Sequence, residues 1–151
     1  MSESLARATR VAVWALLLTG IAGVGACTSP TSPTVRVAFS NVDLRVGTGA
    51  DALSGQTLLV NYTGWLYDDT KPDKKGQLFD ASPPAQPFVF KLGAAQVIAG
   101  WDIGITGMKV GGLRRLVIPS ELAYAREGAG SVIPPNAALI FEVELLSVVG
   151  G

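Results

Sequence analysis

The residue types that most often perform catalysis are scarce in this chain of 151 residues. It contains no histidine, and Cys27 is its single cysteine. Without histidine, the commonest general base and the commonest zinc ligand are missing, and serine–histidine chemistry is excluded. One cysteine also excludes an internal disulfide and a multi-cysteine metal site. Any enzymatic activity must therefore depend on other groups, and we expect neither a metal nor a cofactor.

A glycine-rich stretch carries the most conspicuous aromatic residue. In "QVIAGWDIGITGMKVGG" (Gln96–Gly112), Trp101 stands among five glycines. Apolar residues follow one another at spacings of three and four, which is the spacing of one face of a helix. They are Ile98, Trp101, Ile105 and Met108. The pattern predicts a short helix over Gln96–Ile105 whose tryptophan faces a sheet.

The remainder of the chain after about residue 35 has the pattern of β-strands. Four segments are rich in β-branched or aromatic residues or alternate in polarity: Thr57–Leu66, Pro87–Gly93, Gly112–Pro119 and Ala138–Val148. In the last, Phe141, Val143 and Leu145 should point inward. Weaker strands are "VRVAF" and "VDLRVG" near the start. The chain is predicted to be an α+β domain, a twisted antiparallel sheet wrapped around one short helix.

The first 34 residues are predicted to precede this domain. Arg7 and Arg10 come before the uncharged run Val11–Ala26, which is shorter than the roughly 20 residues of a membrane-spanning helix and typical of a signal peptide. Its end, "VGAC", resembles the lipobox of bacterial lipoproteins, so we expect a signal peptide over residues 1–27 with lipidation at Cys27. An ordinary secretory signal with an incidental cysteine is the alternative. Residues 28–34, "TSPTSPT", are predicted to form an extended tether, and residues 35–151 the domain.

Four segments in order resemble the FKBP-type peptidyl-prolyl isomerases. They are "VNYTGWL", "GQLFDAS", "PFVFKLGAAQVIAGWDIGITGMKVGGLRRLVIPSELAYA" and "SVIPPNAALIFEVELL", and they run from about Gln56 to Leu146. The resemblance implies the same fold, with a shallow apolar pocket whose floor is the Trp101 indole. In such a pocket a prolyl ring binds while the preceding peptide bond rotates. Gly100, which has no Cβ, should keep the backbone beside the indole ring slim.

The resemblance also implies the residues of the pocket. The expected catalytic residues are Tyr62, Asp80, Trp101 and Tyr124, and the expected substrate-binding residues are Phe79, Phe88, Val97, Ile98, Ile133 and Phe141. The Ile98 amide N–H and the Tyr124 hydroxyl would bind a substrate carbonyl. Asp80 would be the only charge inside and would bond the tyrosine hydroxyls. Several of these residues have a purely structural alternative: Trp101, Tyr62, Phe88 and Phe141 as core residues, and Asp80 as a turn residue.

Three positions depart from the family's common pattern. Ala81–Gln86 has no arginine to bridge to Asp80, Ala125 stands where glycine is common, and Arg126–Gly130 has no bulky aromatic. None of them is required for bond rotation in an apolar pocket, which needs no nucleophile, proton relay or metal.

The expected partners follow from the same resemblance. They are proline-containing polypeptides, the macrolide inhibitors of the family and, through a lipid on Cys27, a membrane. Twelve basic and twelve acidic residues do not suggest a nucleic-acid partner, and we expect a monomer exported to the cell envelope. The alternatives are a module that binds proline segments without useful turnover, a holdase chaperone and a structural lipoprotein.

Overall fold

The computed structural model describes residues 36–150. Their elements are β1 (Ser40–Arg45), β2 (Thr57–Tyr67), β3 (Lys75–Ala81), β4 (Phe88–Lys91), α1 (Ala99–Ile105), β5 (Leu113–Ile118), a 3-10 turn (Ser120–Leu122) and β6 (Leu139–Val149). The predicted signal peptide, Cys27 and the tether lie outside the described residues. Within residues 36–150, no helix is long and apolar enough to cross a membrane.

The strands form one antiparallel sheet, which confirms the predicted α+β fold. The order is β1-β5-β6-β2-β3, with β4 also paired to β2, and the sheet formed by the described residues is not closed. One edge of β2 pairs with β6 over Thr57–Leu66. Its other edge is shared, because β4 pairs with Thr57–Val60 and β3 with Thr63–Tyr67. The sheet therefore has a break between β3 and β4, opposite the middle of β2.

The core lies between the inner face of the sheet and α1. In β6, Phe141, Val143 and Leu145 are buried and the intervening glutamates are not, as the alternation predicts. Trp101 is only 4% exposed and Ile105 is fully buried, so the helix presents the predicted stripe to the sheet. Each such buried side chain contributes about 1.5–3 kcal/mol. This packing offsets the low helix propensity of a segment that is rich in glycine.

Two helical glycines allow α1 to lie close to β5. A Cβ placed on Gly100 would be 2.8 Å from Cδ1 of Ile118 and closer still to Cγ2 of that residue. A Cβ on Gly104, one turn later, would be 2.7 Å from Cδ2 of Leu116. The prediction that Gly100 keeps the backbone slim beside the indole concerns its other neighbour, Trp101, and stays a prediction. The missing Cβ makes room for a strand residue, and so decides how close the helix comes to the sheet.

Three elements differ from their predicted extents. The helix begins at Ala99 rather than Gln96, since Ile98 is extended and its C=O accepts the Trp101 N–H at 2.9 Å. One strand, β1, replaces the two weak strands predicted near the start. Strand β3 was not predicted. It is partly or fully exposed along its whole length and pairs with two register shifts, so its sequence has no apolar period.

Candidate active site

A cavity of about 240 Å³ opens between the inner face of the sheet and the start of α1. The sequence predicted ten side chains here, and nine of them line it: Tyr62, Phe79, Asp80, Phe88, Val97, Ile98, Trp101, Tyr124 and Phe141. Gln96 completes the lining. Eight of these ten lining residues are aromatic or aliphatic, so the cavity offers an apolar ring several side chains to pack against.

Four aromatic rings surround Trp101. Its ring centroid lies 5.2 Å from those of Tyr62 and Phe141, 5.6 Å from that of Phe90 and 6.0 Å from that of Phe88. All four pairs meet edge to face, the arrangement that aromatic quadrupoles favour by about 0.5–1.5 kcal/mol a pair. Its buried Nε1–H has no hydrogen-bond partner among the described residues, at a cost of about 1–3 kcal/mol. The aromatic contacts offset that cost and fix the indole in position.

Gly64 makes room for two of the site's phenylalanines. A Cβ at this position of β2 would lie 2.8 Å from atoms of both Phe79 and Phe141. These two rings pack edge to face with centroids 5.5 Å apart. Any side chain at position 64 would displace them, so the glycine of "YTGW" shapes the cavity wall.

A serine closes the break in the sheet at the edge of the cavity. The Ser82 N–H donates to the Tyr62 C=O at 3.0 Å, and the Tyr62 N–H donates to Ser82 Oγ at 2.9 Å. These bonds replace the strand-to-strand hydrogen bonds that β2 lacks between the end of β3 and the start of β4. They hold Tyr62 against the chain that carries Asp80, two residues before Ser82.

The Tyr62 hydroxyl donates a short hydrogen bond of 2.6 Å to Oδ2 of Asp80. Burial raises the pKa of Tyr62, and the hydrogen bond to the carboxylate raises it further. Burial also raises the pKa of Tyr124, with an added contribution from the charge of Asp80. Both phenols therefore stay protonated throughout the neutral range and act as hydrogen-bond donors.

Asp80 lines the cavity at its exposed rim, whereas the resemblance implied that it lies inside. The structure shows it bonded to the hydroxyl of Tyr62 and not to that of Tyr124. Its second oxygen, Oδ1, has no hydrogen-bond or ion-pair partner among residues 36–150. Because Asp80 lies near the end of β3, which is the edge strand beside β2, its carboxylate reaches solvent.

Comparison with known proteins decides the class of this site. Residues 49–146, about two thirds of the chain, match the family described as FKBP-type peptidyl-prolyl cis-trans isomerase. The chain belongs to this family. An FK506-binding protein of Neisseria meningitidis serogroup B is 53% identical over 107 residues, covering 70% of this chain and 92% of the relative. FK506-binding protein 4 of Dictyostelium discoideum is 51% identical over 105 residues, which is 70% of this chain and 27% of that protein.

Solved structures of the FKBP family have the same fold. A peptidyl-prolyl cis-trans isomerase of Pseudomonas syringae pv. tomato is 39% identical, with a TM-score of 0.62 over 74% of this chain and 76% of that one. FkpA from Escherichia coli is 40% identical, with a TM-score of 0.62 over 73% of this chain and 47% of its own. The shared architecture is the antiparallel sheet with one short helix.

Two hydrogen-bond donors of this FKBP-type cavity have no partner among residues 36–150. The amide N–H of Ile98 donates to no other group in the described part of the chain, because the residue is extended at the point where the helix begins. Tyr124 is 38% exposed, and its hydroxyl has no hydrogen bond within residues 36–150. Both groups line the same cavity, so they are available to a bound chain.

Ile133 is the one predicted pocket residue that does not line the cavity. It is 4% exposed and belongs to the core cluster. Its N–H and C=O both pair with Ala129, which turns the "SVIPPN" segment inward. Gln96 was missed as a lining residue because it was taken only as the start of the helix. Its Oε1 accepts the Lys91 N–H at 2.8 Å, and a glutamine directly before the Val97–Ile98 pair was the available signal.

Proposed function

We propose that this FKBP-type isomerase accelerates rotation of X–Pro bonds in exported proteins by removing the bond from water. Family membership gives the reaction class. The observation that best supports this mechanism is the aromatic enclosure of Trp101, with a hydroxyl–carboxylate pair at its rim and no histidine in the chain. Among residues 36–150, no group of three or more metal-binding side chains is found.

The required acceleration is within reach of solvent exclusion and positioning. Rotation about a peptide bond meets a barrier of about 18–20 kcal/mol from amide resonance, and an X–Pro bond takes tens to hundreds of seconds. A turnover of about 10² s⁻¹ would be roughly 10⁴-fold faster, which needs about 5.5 kcal/mol off the barrier. At the twisted transition state the amide loses conjugation and becomes less dipolar. An apolar cavity therefore favours it relative to the planar amide, which water stabilises more.

Each part of the cavity has a role in this proposal. The rings of Trp101, Phe88 and Phe141 bury the prolyl ring and exclude water. The free Ile98 N–H and Tyr124 hydroxyl hold the substrate backbone while the bond rotates. The Asp80 carboxylate, held by the Tyr62 hydroxyl, faces the carbonyl carbon as the amide loses its resonance.

The test is NMR exchange spectroscopy on an Ala–Leu–Pro–Phe peptide with catalytic amounts of the full-length protein. The wild type should exchange the cis and trans signals, and Trp101→Leu should lose most of that rate. Trp65→Leu is the matched control, because Trp65 follows Gly64 in β2 and its side chain is on the opposite face of the sheet. Equal losses in the two variants would assign the effect to stability. Binding of the peptide with exchange at the uncatalysed rate would refute the enzyme and leave a proline-binding module.

Macrolide binding and cell location complete the proposal. The cavity should bind FK506, because the relatives that carry this name align with most of the domain. We further propose a monomeric lipoprotein of the cell envelope, with a signal peptide over residues 1–27 and lipidation at Cys27. The support is the basic start, the apolar run and the "VGAC" ending. Mass spectrometry of the protein purified from membranes should show acylation at Cys27. A Cys27→Ala variant should be released from the membrane, and its retention there would refute the anchor.

A further inference from the structure

We propose that the exposed carboxylate of Asp80 makes this site selective for a basic residue beside the substrate proline. The inference rests on the proposed isomerase function and goes beyond it, because it names the class of substrate. The basic residue would lie in a second groove that adjoins the aromatic cavity.

The groove continues the cavity along the β3–β4 connection. Its volume is about 510 Å³, and it shares Tyr62, Asp80 and Phe88 with the cavity. The rest of its lining is Ala81, Ser82, Pro83, Gln86, Pro87 and Val89. A chain whose proline contacts Trp101 can therefore extend past Asp80 into the groove without leaving the surface.

Asp80 is the only charged residue that lines either space within the described part of the chain. Its Oδ2 accepts the Tyr62 hydroxyl, which brings no positive charge. The loop Ala81–Gln86 contains no lysine or arginine. Carboxylates elsewhere differ in this respect, since Asp43 pairs with Arg114 and Glu142 with Lys75 and Arg115. The rim of the site thus presents a negative charge that no cation of the described residues neutralises.

The walls beside this charge suit a long basic side chain. Phe88 is 37% exposed and provides an apolar surface for the methylene stem of lysine. Lysine and arginine place their stems on apolar surface and their charged ends in solvent. A basic residue next to the proline would combine the two contacts, whereas glutamate would meet a like charge.

The expected selectivity is modest because Asp80 is exposed. An exposed ion pair contributes a few tenths to about 1 kcal/mol, which corresponds to roughly a two- to fivefold preference for lysine over a neutral residue. Glutamate should be disfavoured by a similar factor. Both effects should shrink at high salt, since the Debye length falls from about 10 Å at 0.1 M to 3 Å at 1 M.

The experiment compares kcat/KM for host peptides that carry lysine, leucine or glutamate directly before or directly after the proline. Exchange NMR with the full-length protein gives the rates, and amide chemical-shift titration gives the affinities. We expect lysine to exceed glutamate by roughly four- to twentyfold at one of the two positions at low salt. The ratio should move towards one in 1 M NaCl.

Two charge-adding variants localise the effect. Gln86 lies in the groove, and Gln86→Arg places a cation near Asp80, so the lysine-to-glutamate ratio should fall to about one or invert. Gln77→Arg adds the same charge on β3 outside both spaces and should leave the ratio and the rates as in the wild type. Equal effects of the two variants would overturn the proposal, because they would point to net charge alone.

The outcomes separate this inference from the isomerase function. Catalysis of all the peptides with lysine and glutamate within 1.5-fold at both positions would overturn the charge selectivity and leave the enzyme intact. Binding that favours lysine without faster exchange would support the selectivity and refute the enzyme. A lack of both binding and exchange for every peptide would overturn both.

Discussion

Replacement of Gly100 by alanine tests how the helix is placed against the sheet. The new Cβ would lie within 3 Å of two atoms of Ile118, Cγ2 and Cδ1. Ile118 is fully buried in β5, and its β-branched side chain has little freedom about χ1. Relief must therefore come from a movement of the helix, which carries Trp101 at the next position.

Two opposing terms set the magnitude. Alanine is a better helix former than glycine by about 0.8–1 kcal/mol, whereas a methyl group forced into a packed core costs about 1–3 kcal/mol. The clash is at the upper end of that range because two atoms are involved, so Gly100→Ala should destabilise the fold by about 1–2 kcal/mol. That corresponds to roughly 4–8 °C in Tm for a domain of this size. Since a 1 Å misplacement of a catalytic group can cost about 100-fold, kcat/KM should fall by tenfold or more.

Urea unfolding and exchange NMR measure the two effects. Gly104→Ala is a matched comparison, because its Cβ would meet the terminal methyl groups of Leu116, whose side chain is not branched at Cβ, and it should cost less than Gly100→Ala. In an Ile118→Ala background the clashing atoms are gone, so Gly100→Ala should become neutral or stabilising by up to about 1 kcal/mol. The same cost in both backgrounds would refute the proposed contact.

Three other predictions concern the site rim, a strained turn and acid stability. Tyr124→Phe should lower kcat/KM about two- to tenfold with almost no loss of stability. Tyr62→Phe should also cost about 1 kcal/mol in urea unfolding, because within residues 36–150 the Tyr62 hydroxyl has a hydrogen-bond partner and the Tyr124 hydroxyl has none. Ala125 has a φ of +47°, so Ala125→Gly should relieve about 1–2 kcal/mol of backbone strain. The greater freedom of glycine in the unfolded chain should cost about 0.4–1 kcal/mol of that gain. The net effect should be a higher urea midpoint. The hydrogen bond from Arg114 lowers the pKa of Asp43. The Asp43–Arg114 pair therefore stabilises the fold fully above about pH 4, the ordinary aspartate pKa, and this stabilisation is lost as the pH falls through the lower pKa of Asp43 in the folded state. Asp43→Asn should reduce the difference in unfolding free energy between pH 6 and pH 2 by up to about 1 kcal/mol.

Matched variants make these predictions refutable. Equal activity losses without the difference in stability would show that the two tyrosine hydroxyls are interchangeable. Ala94→Gly changes an alanine whose φ is not positive, so it should lower the urea midpoint. The strain at Ala125 would be disproved if both glycine variants lowered it. If Asp43→Asn left the difference in unfolding free energy between pH 6 and pH 2 unchanged, the Asp43–Arg114 pair would not contribute to acid unfolding.

The sequence pattern by itself determined which residues form the core, and the resemblance to the FKBP family implied most of the cavity residues. Strand β6 alternates so regularly that its inward face could be read from its residues, and its bounds were predicted to within one residue. The same holds for the stripe that turns Trp101 towards the sheet. These features are local, because a period of two or of about 3.6 residues decides which side chains share a face.

Only the tertiary structure decided the features that depend on neighbours distant in the chain. It showed that Gly100 faces Ile118, that Ile133 is drawn into the core, and that Asp80 lies exposed at the rim. Strand β3 also escaped prediction, because an exposed edge strand is held by the backbone of its partner and carries no apolar period. Side-chain pattern specifies burial within an element. Packing of the whole sheet and helix decides the distance between elements and the neighbours of each exposed side chain.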